Sequence, residues 1–250
     1  WEALFQRALD LALDVDDHEA AVRISHNLQL ALWDHGRLHD ARVVAERTAP
    51  IIAGIEHQAG VIAHRLASAH IAFAMGRYDE AAALLEWVRA SDRAGALAEE
   101  TELLAMRTDW RRGDETIPAG LRDRWEKLVS ATGLSPNELP HRERASYLIE
   151  LLGVAVAELA LKTGDGALAD DVATICARTM RGRWRTYKSE LLFYLHLAGA
   201  HCDTDIVPSE PFATAIEGDL AAAADSFDAI GRHHEAAVCR AAIEGQQWPE

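Results

Sequence analysis

One hexamer recurs along the chain and limits what it can fold into. Residues 36–41 read GRLHDA, residues 76–81 GRYDEA and residues 231–236 GRHHEA, each after an alanine-rich apolar stretch. The shared rule is a glycine with an alanine five positions later, and Gly164 with Ala169 and Gly218 with Ala223 obey it too. Seven positions before Gly76, Gly164 and Gly231 a second small residue recurs, Ala69, Ala157 and Ala224, whereas Gln29 stands before Gly36. Glycine reaches positive φ without steric cost and so closes a helix with a left-handed cap. Small residues on either side let two helices cross closely, and the acid beside the alanine falls in the first turn of the next helix, where the dipole favours it. The hexamer is the bend of a helix hairpin, and its repetition implies stacked hairpins.

The rest of the sequence agrees with helix. Hydrophobic residues make up 49% of the 250 and aromatics only 6%. Alanine and leucine dominate, whereas β-branched residues rarely run together, so almost no sheet is expected. Beyond each alanine one buried stripe continues through Ala45 and Thr48, Leu85 and Val88, Ala173 and Cys176, and Phe227 and Ile230. The pattern predicts paired helices at 17–35 and 38–54, 57–75 and 78–92, 95–112 and 118–132, 140–163 and 166–181, and 184–200 and 211–230, with a last helix over 233–244. Pro136 and Pro140 bracket one connection, and Pro208 and Pro211 another, because helices end before proline.

These turns resemble the tetratricopeptide repeat, with its small residue, Gly-x-aromatic and acid-x-Ala bend and later apolar pair. Gly76, Tyr78, Glu80 and Ala81 match that pattern closely, whereas Pro118 stands in the small-residue place after Gly113. The step from Gly36 to Gly76 is 40 residues, longer than the 34 of the standard repeat. The resemblance implies an all-α, right-handed superhelix, an α-solenoid of about five to six hairpins, as a single domain over 1–250. It also places the first helix of each pair on a concave face. Arg23, His26, Trp33 and Asp34 would line it from the first pair, Leu66, His70 and Phe73 from the second, and Arg107, Trp110 and Arg111 from the third, with Glu158 and Lys162 continuing the surface. Aromatic and arginine side chains suit a ligand or peptide groove. The alternative is that Trp33, Phe73 and Trp110 pack between repeats.

Residues 182–250, read as the C-terminal repeat and closing helix, carry a more particular likeness. Pro211, Phe212, Ala213, Gly218, Asp219, Ala222, Ala223, Phe227, Ile230 and Gly231 resemble the end of the helical-repeat region in large ATP-binding transcriptional regulators of the LuxR and MalT type. Leu220 stands where that family often has tryptophan. Such regulators carry a P-loop ATPase before the repeats and a helix-turn-helix after them. Neither pattern occurs here: the only lysines are Lys127, Lys162 and Lys188, and none follows a phosphate-binding loop. Starting at Trp1 without methionine, the chain reads as a fragment of a longer regulator. The implied role is a non-catalytic sensor or interaction domain that binds a protein segment or small effector and signals to the attached domains.

Charge and cysteine usage narrow the setting. A formal net charge of -15 repels a phosphate backbone, which argues against nucleic-acid binding by this chain. Cys176, Cys202 and Cys239, odd in number and far apart, point to a reducing, cytoplasmic compartment. No apolar run approaches the roughly 20 residues that span a bilayer, so no membrane partner is expected.

Other candidate chemistry is sparse. Arg178, Arg181, Arg183, Arg185 and Lys188, with Trp184 and Tyr187 between them, form the one basic patch, suited to phosphate or an acidic partner, although it also spans a helix end that cations stabilise. The twelve histidines lack metal-ligand spacing; His201, Cys202, Asp203 and Asp205 are the best cluster and read as a polar loop. Glu99, Glu100 and Glu102 read as a solvated helix face. With no nucleophile elbow and no dinucleotide loop, neither catalytic residues, a metal nor a cofactor is expected. A free-standing scaffold for protein assembly is the principal rival, and a helical enzyme with a site between repeats is a further one.

Overall fold

The structure, a computed structural model, describes residues 1–55, 59–91, 95–131, 143–180 and 185–245. The described residues are helical, with no strand. Thirteen α-helices succeed one another among them: α1 Glu2–Asp14, α2 His18–Asp34, α3 Leu38–Ala53, α4 Ala59–Ala74, α5 Tyr78–Arg89, α6 Ala98–Arg111, α7 Ile117–Ala131, α8 Glu143–Thr163, α9 Gly166–Thr179, α10 Arg185–Leu197, α11 Phe212–Ile216, α12 Leu220–Ala229 and α13 His233–Glu244. Two differ from the sequence expectation. Helix α1 lies ahead of the first expected pair, and the single helix expected over 211–230 is broken into α11 and α12 at Gly218, whose φ of 99° no continuing helix tolerates.

The recurring turn has one geometry. After α2, the Gly36 amide donates to the Trp33 carbonyl and the Arg37 amide to the Leu32 carbonyl, with Gly36 at φ 72°. After α4, Gly76 and Arg77 donate in the same way to Phe73 and Ala72, with Gly76 at φ 71°. This paired closure satisfies carbonyls that the helix end would leave open. The alanine five positions on has no exposed surface in any instance: Ala41, Ala81, Ala169, Ala223 and Ala236 are all at 0%. Arg37 pairs with Asp40 at 2.6 Å and Arg77 with Glu80 at 2.8 Å, which accounts for the arginine and the acid in the first two hexamers.

The turn before α2 shows why α1 escapes the rule. Asp16 takes the glycine place at φ 57°, Asp17 donates to the Ala12 carbonyl, and Ala21, five positions after Asp16, is again at 0% exposure. Aspartate visits the left-handed region more readily than most residues. The Asp17 side chain then caps α2 by accepting from the Ala20 amide at 3.0 Å, as Asp165 caps α9 from Leu168.

The chain divides into two compact units, the first covering residues 1–108 with 230–232 and the second the remainder. In the first, α1 packs on α2, α2 on both α3 and α4, and α4 on α3 and α5. In the second, α8 packs on α7, α9 and α10, and α10, α11, α12 and α13 follow as successive neighbours. Phe193, Phe212 and Phe227 form an aromatic knot there, with ring centroids 4.9–5.7 Å apart.

Candidate functional site

In the first unit the expected concave-face residues are mostly interior. Trp33, Leu66, His70, Phe73 and Arg107 are buried, His26 and Asp34 half-buried, and Arg23 exposed. Trp33 lies against His70 with ring centroids 5.7 Å apart, and the Arg107 guanidinium stands over Phe73 at 4.8 Å. His70 meets Glu100 at 2.9 Å, both side chains being largely covered, so Glu100 belongs to the packing rather than to a solvated face. Glu102 pairs with Arg89 at 2.8 Å, and Glu99 is exposed.

In the second unit, Arg111 and Glu158 form a buried ion pair at 2.6 Å. The Arg111 guanidinium also donates to the Tyr194 hydroxyl, which donates to Glu235, and His234 lies 3.8 Å from Glu158. Burial, with the Glu235 and Glu158 charges adding to it, pushes the Tyr194 phenol well up, so it stays protonated. Trp110 is buried with the exposed Lys162 ammonium 5.5 Å from its ring. The structure therefore joins four of the twelve expected groove residues here, two by a salt bridge and two by a cation–π contact.

The basic patch is only partly placed. Arg178 is exposed in the last turn of α9, Arg185 is exposed and donates to the Val207 carbonyl, and Lys188 is half-buried. Arg181, Arg183 and Trp184 lie outside the described residues, as does the Pro136 to Pro140 connection. Among the described residues no cluster of metal-ligating side chains forms: His201, Asp203 and Asp205 are exposed while Cys202 is buried against the Ala173 carbonyl. The three cysteines are free and buried, and burial holds their thiols up, Cys202 to about 11 and Cys239 to about 12, far from the reactive thiolate range.

The cavity that stands out lies elsewhere in the first unit, between α3, α4 and α5. It is a groove of about 190 Å³ that none of the twelve expected residues lines. It is lined by His64 and Ser68, by apolar residues that include Ala45, Ala49, Ile71 and Leu84, and by Arg42, Arg65 and Arg77 with Glu46 and Glu80. Arg42 is tied to Glu46 and Arg77 to Glu80, each at 2.8 Å. Arg65 differs. Its guanidinium stands over the Trp87 ring at 3.9 Å and no carboxylate among the described residues pairs with it; its Nε, like Arg42 Nε and Arg77 Nη1, is buried without a hydrogen-bond partner. Burial alone pushes its pKa down, as expected of a cation with no anion beside it.

Beneath the groove runs a buried polar network that starts from Gln29, the residue that breaks the small-residue rule. The Gln29 amide nitrogen donates to His64 Nε2 at 2.7 Å and to Ser25 at 3.2 Å, while Ser68 donates to its oxygen at 3.0 Å. Thr48 and Ser25 reach the same imidazole nitrogen at 2.9 and 3.1 Å. With Nε2 accepting, His64 is neutral and carries its proton on Nδ1, a buried atom with no partner. Burial, helped by the His26 and Arg65 charges, pushes its pKa down to about 3. The sequence signal for this site was the glutamine in an alanine place; Arg65 itself stands out only once α4 faces α3 and α5.

Comparison with known proteins returned no matching family model, no matching curated protein and no matching solved structure.

Proposed function

We propose that the chain is a tetratricopeptide-like helical-repeat domain that binds a protein segment or small effector and catalyses no reaction. Within each unit the hairpins would stack as turns of a right-handed superhelix, with ligand-dependent changes in their packing as the signal. The observation that carries this reading is the recurring turn, a left-handed cap followed five residues later by an alanine with no exposed surface at Ala21, Ala41, Ala81, Ala169, Ala223 and Ala236. The likeness of residues 211–231 to regulators of the LuxR and MalT type makes a cytoplasmic signal-receiving role, beside an ATPase and a helix-turn-helix, the best-supported setting.

The test is the melting temperature of the protein across panels of metabolites, nucleotides and peptides, because a ligand of the native state must raise it. A saturable shift with the compound recovered unchanged supports a binding domain. Steady conversion of a compound, lost on changing Arg111 or Glu158, would support the enzyme reading instead.

One observation favours a scaffold as the second reading. Leu4 and Leu11 share one face of α1, with Val15 at its C-cap, and are 73%, 62% and 63% exposed. An apolar stripe of that kind suits a partner helix. A concentration-dependent dimer that dissociates on Leu11→Glu would favour it.

A further inference from the structure

The geometry points to the groove between α3, α4 and α5 as a binding site for a small organic monocarboxylate, held by Arg65 at its carboxylate and by the alanine-rich walls along an apolar body. This rests on the reading of the chain as a binding domain and names the ligand class.

Charge balance selects the head group. Three arginines and two glutamates line the groove, and the pairs Arg42–Glu46 and Arg77–Glu80 leave Arg65 as the one cation without a carboxylate among the described residues. One uncompensated positive charge, in a chain of formal net charge -15, calls for a monoanion rather than a phosphate dianion. The Trp87 ring holds the guanidinium carbon 3.9 Å from its centroid, and a guanidinium offers the two-point hydrogen bonding that a carboxylate accepts. Arg65 Nε, buried and without a partner, is a donor placed for one of those bonds.

His64 supplies a second sign. His64 is 3% exposed, lines the groove, and has Nδ1 unpartnered while Nε2 is fully engaged beneath. A buried donor without an acceptor costs about 1–3 kcal/mol, which an acceptor oxygen brought by a ligand in the groove would recover. Size selects the body. A groove of about 190 Å³ is below the range of about 300–1,000 Å³ typical for drug-sized ligands, so the occupant is a compact metabolite. Ala45, Ala49 and Leu84 offer it no polar partner.

The experiment is calorimetric titration of the whole chain with benzoate and hexanoate, beside benzamide, hexanol and inorganic phosphate as controls. The two carboxylates should bind with Kd below about 1 mM, and each control at least about tenfold more weakly. Arg65→Met should weaken the carboxylates by at least about tenfold. Ala49→Leu, which fills the groove from an exposed position without touching a charge, should do the same, so the test survives if Arg65→Met fails to fold. Binding unchanged in both variants, binding of phosphate in preference to the carboxylates, or no binding of either carboxylate overturns the proposal. If peptides or other metabolites still raise the melting temperature in that case, the binding-domain reading stands and only this assignment falls.

Discussion

Gln29 and His64 meet at 2.7 Å in the interior of the first unit, at the place where the hairpins turning at Gly76, Gly164 and Gly231 carry an alanine seven residues before the glycine. One departure from the repeat rule thus exchanges close helix packing for a hydrogen-bonded network of five side chains. Gln29→Ala restores the repeat pattern but strips Ser25, His64 and Ser68 of a partner. Loss of about 1–3 kcal/mol is expected, read as a lower midpoint in urea unfolding at unchanged slope.

His64 gives the protein an acid limit. Its pKa falls from 6.5 in the unfolded chain to about 3 in the fold, so between those values the unfolded state takes up a proton that the native state refuses. Stability is therefore complete above the unfolded value and declines as pH falls from about 6.5 towards about 3, by up to about 1.4 kcal/mol per unit. His26, lowered mainly by burial, acts in the same sense. Urea unfolding followed from pH 7 to pH 4 should show this slope, and His64→Gln should flatten it.

The turn geometry makes a paired prediction of opposite sign. Gly76 sits at φ 71° with no atom within 4 Å of an added Cβ, so Gly76→Ala costs only the backbone term, about 1 kcal/mol. Asp16 occupies the same place at φ 57°, so Asp16→Gly should stabilise by about 0.5–1 kcal/mol. Thermal melts of the two variants should move apart, the first down and the second up.

Arg111 and Glu158 are buried together, with side chains 6% and 7% exposed. Removing one partner leaves a buried charge, so Arg111→Met and Glu158→Gln should each cost about 3–5 kcal/mol. The double variant Arg111→Met, Glu158→Leu should cost markedly less than the sum, and a double-mutant cycle reads the difference as coupling.

The hairpin turns were legible because they depend on single residues with strict conformational demands. Gly36, Gly76, Gly164, Gly218 and Gly231 all take positive φ, and the alanines five positions on are all covered. Helix α1 was missed because Asp16 replaces glycine with a residue that reaches the same conformation through a weaker preference. Side-chain placement was less legible. Arg107, Trp33 and Phe73 have the composition of a ligand groove, yet packing covers them, because burial depends on which helix faces which and not on residue type. The groove at Arg65 and His64 draws on three helices at once, and no local pattern announces a cation whose distinction is the lack of a partner.

The most direct measurement is backbone hydrogen exchange of the whole chain with and without the compound or peptide that most raises its melting temperature. A binding domain predicts slowed exchange over a contiguous set of helices, with the ligand recovered unchanged. Exchange that is the same with and without ligand, or a ligand consumed during the experiment, would contradict it.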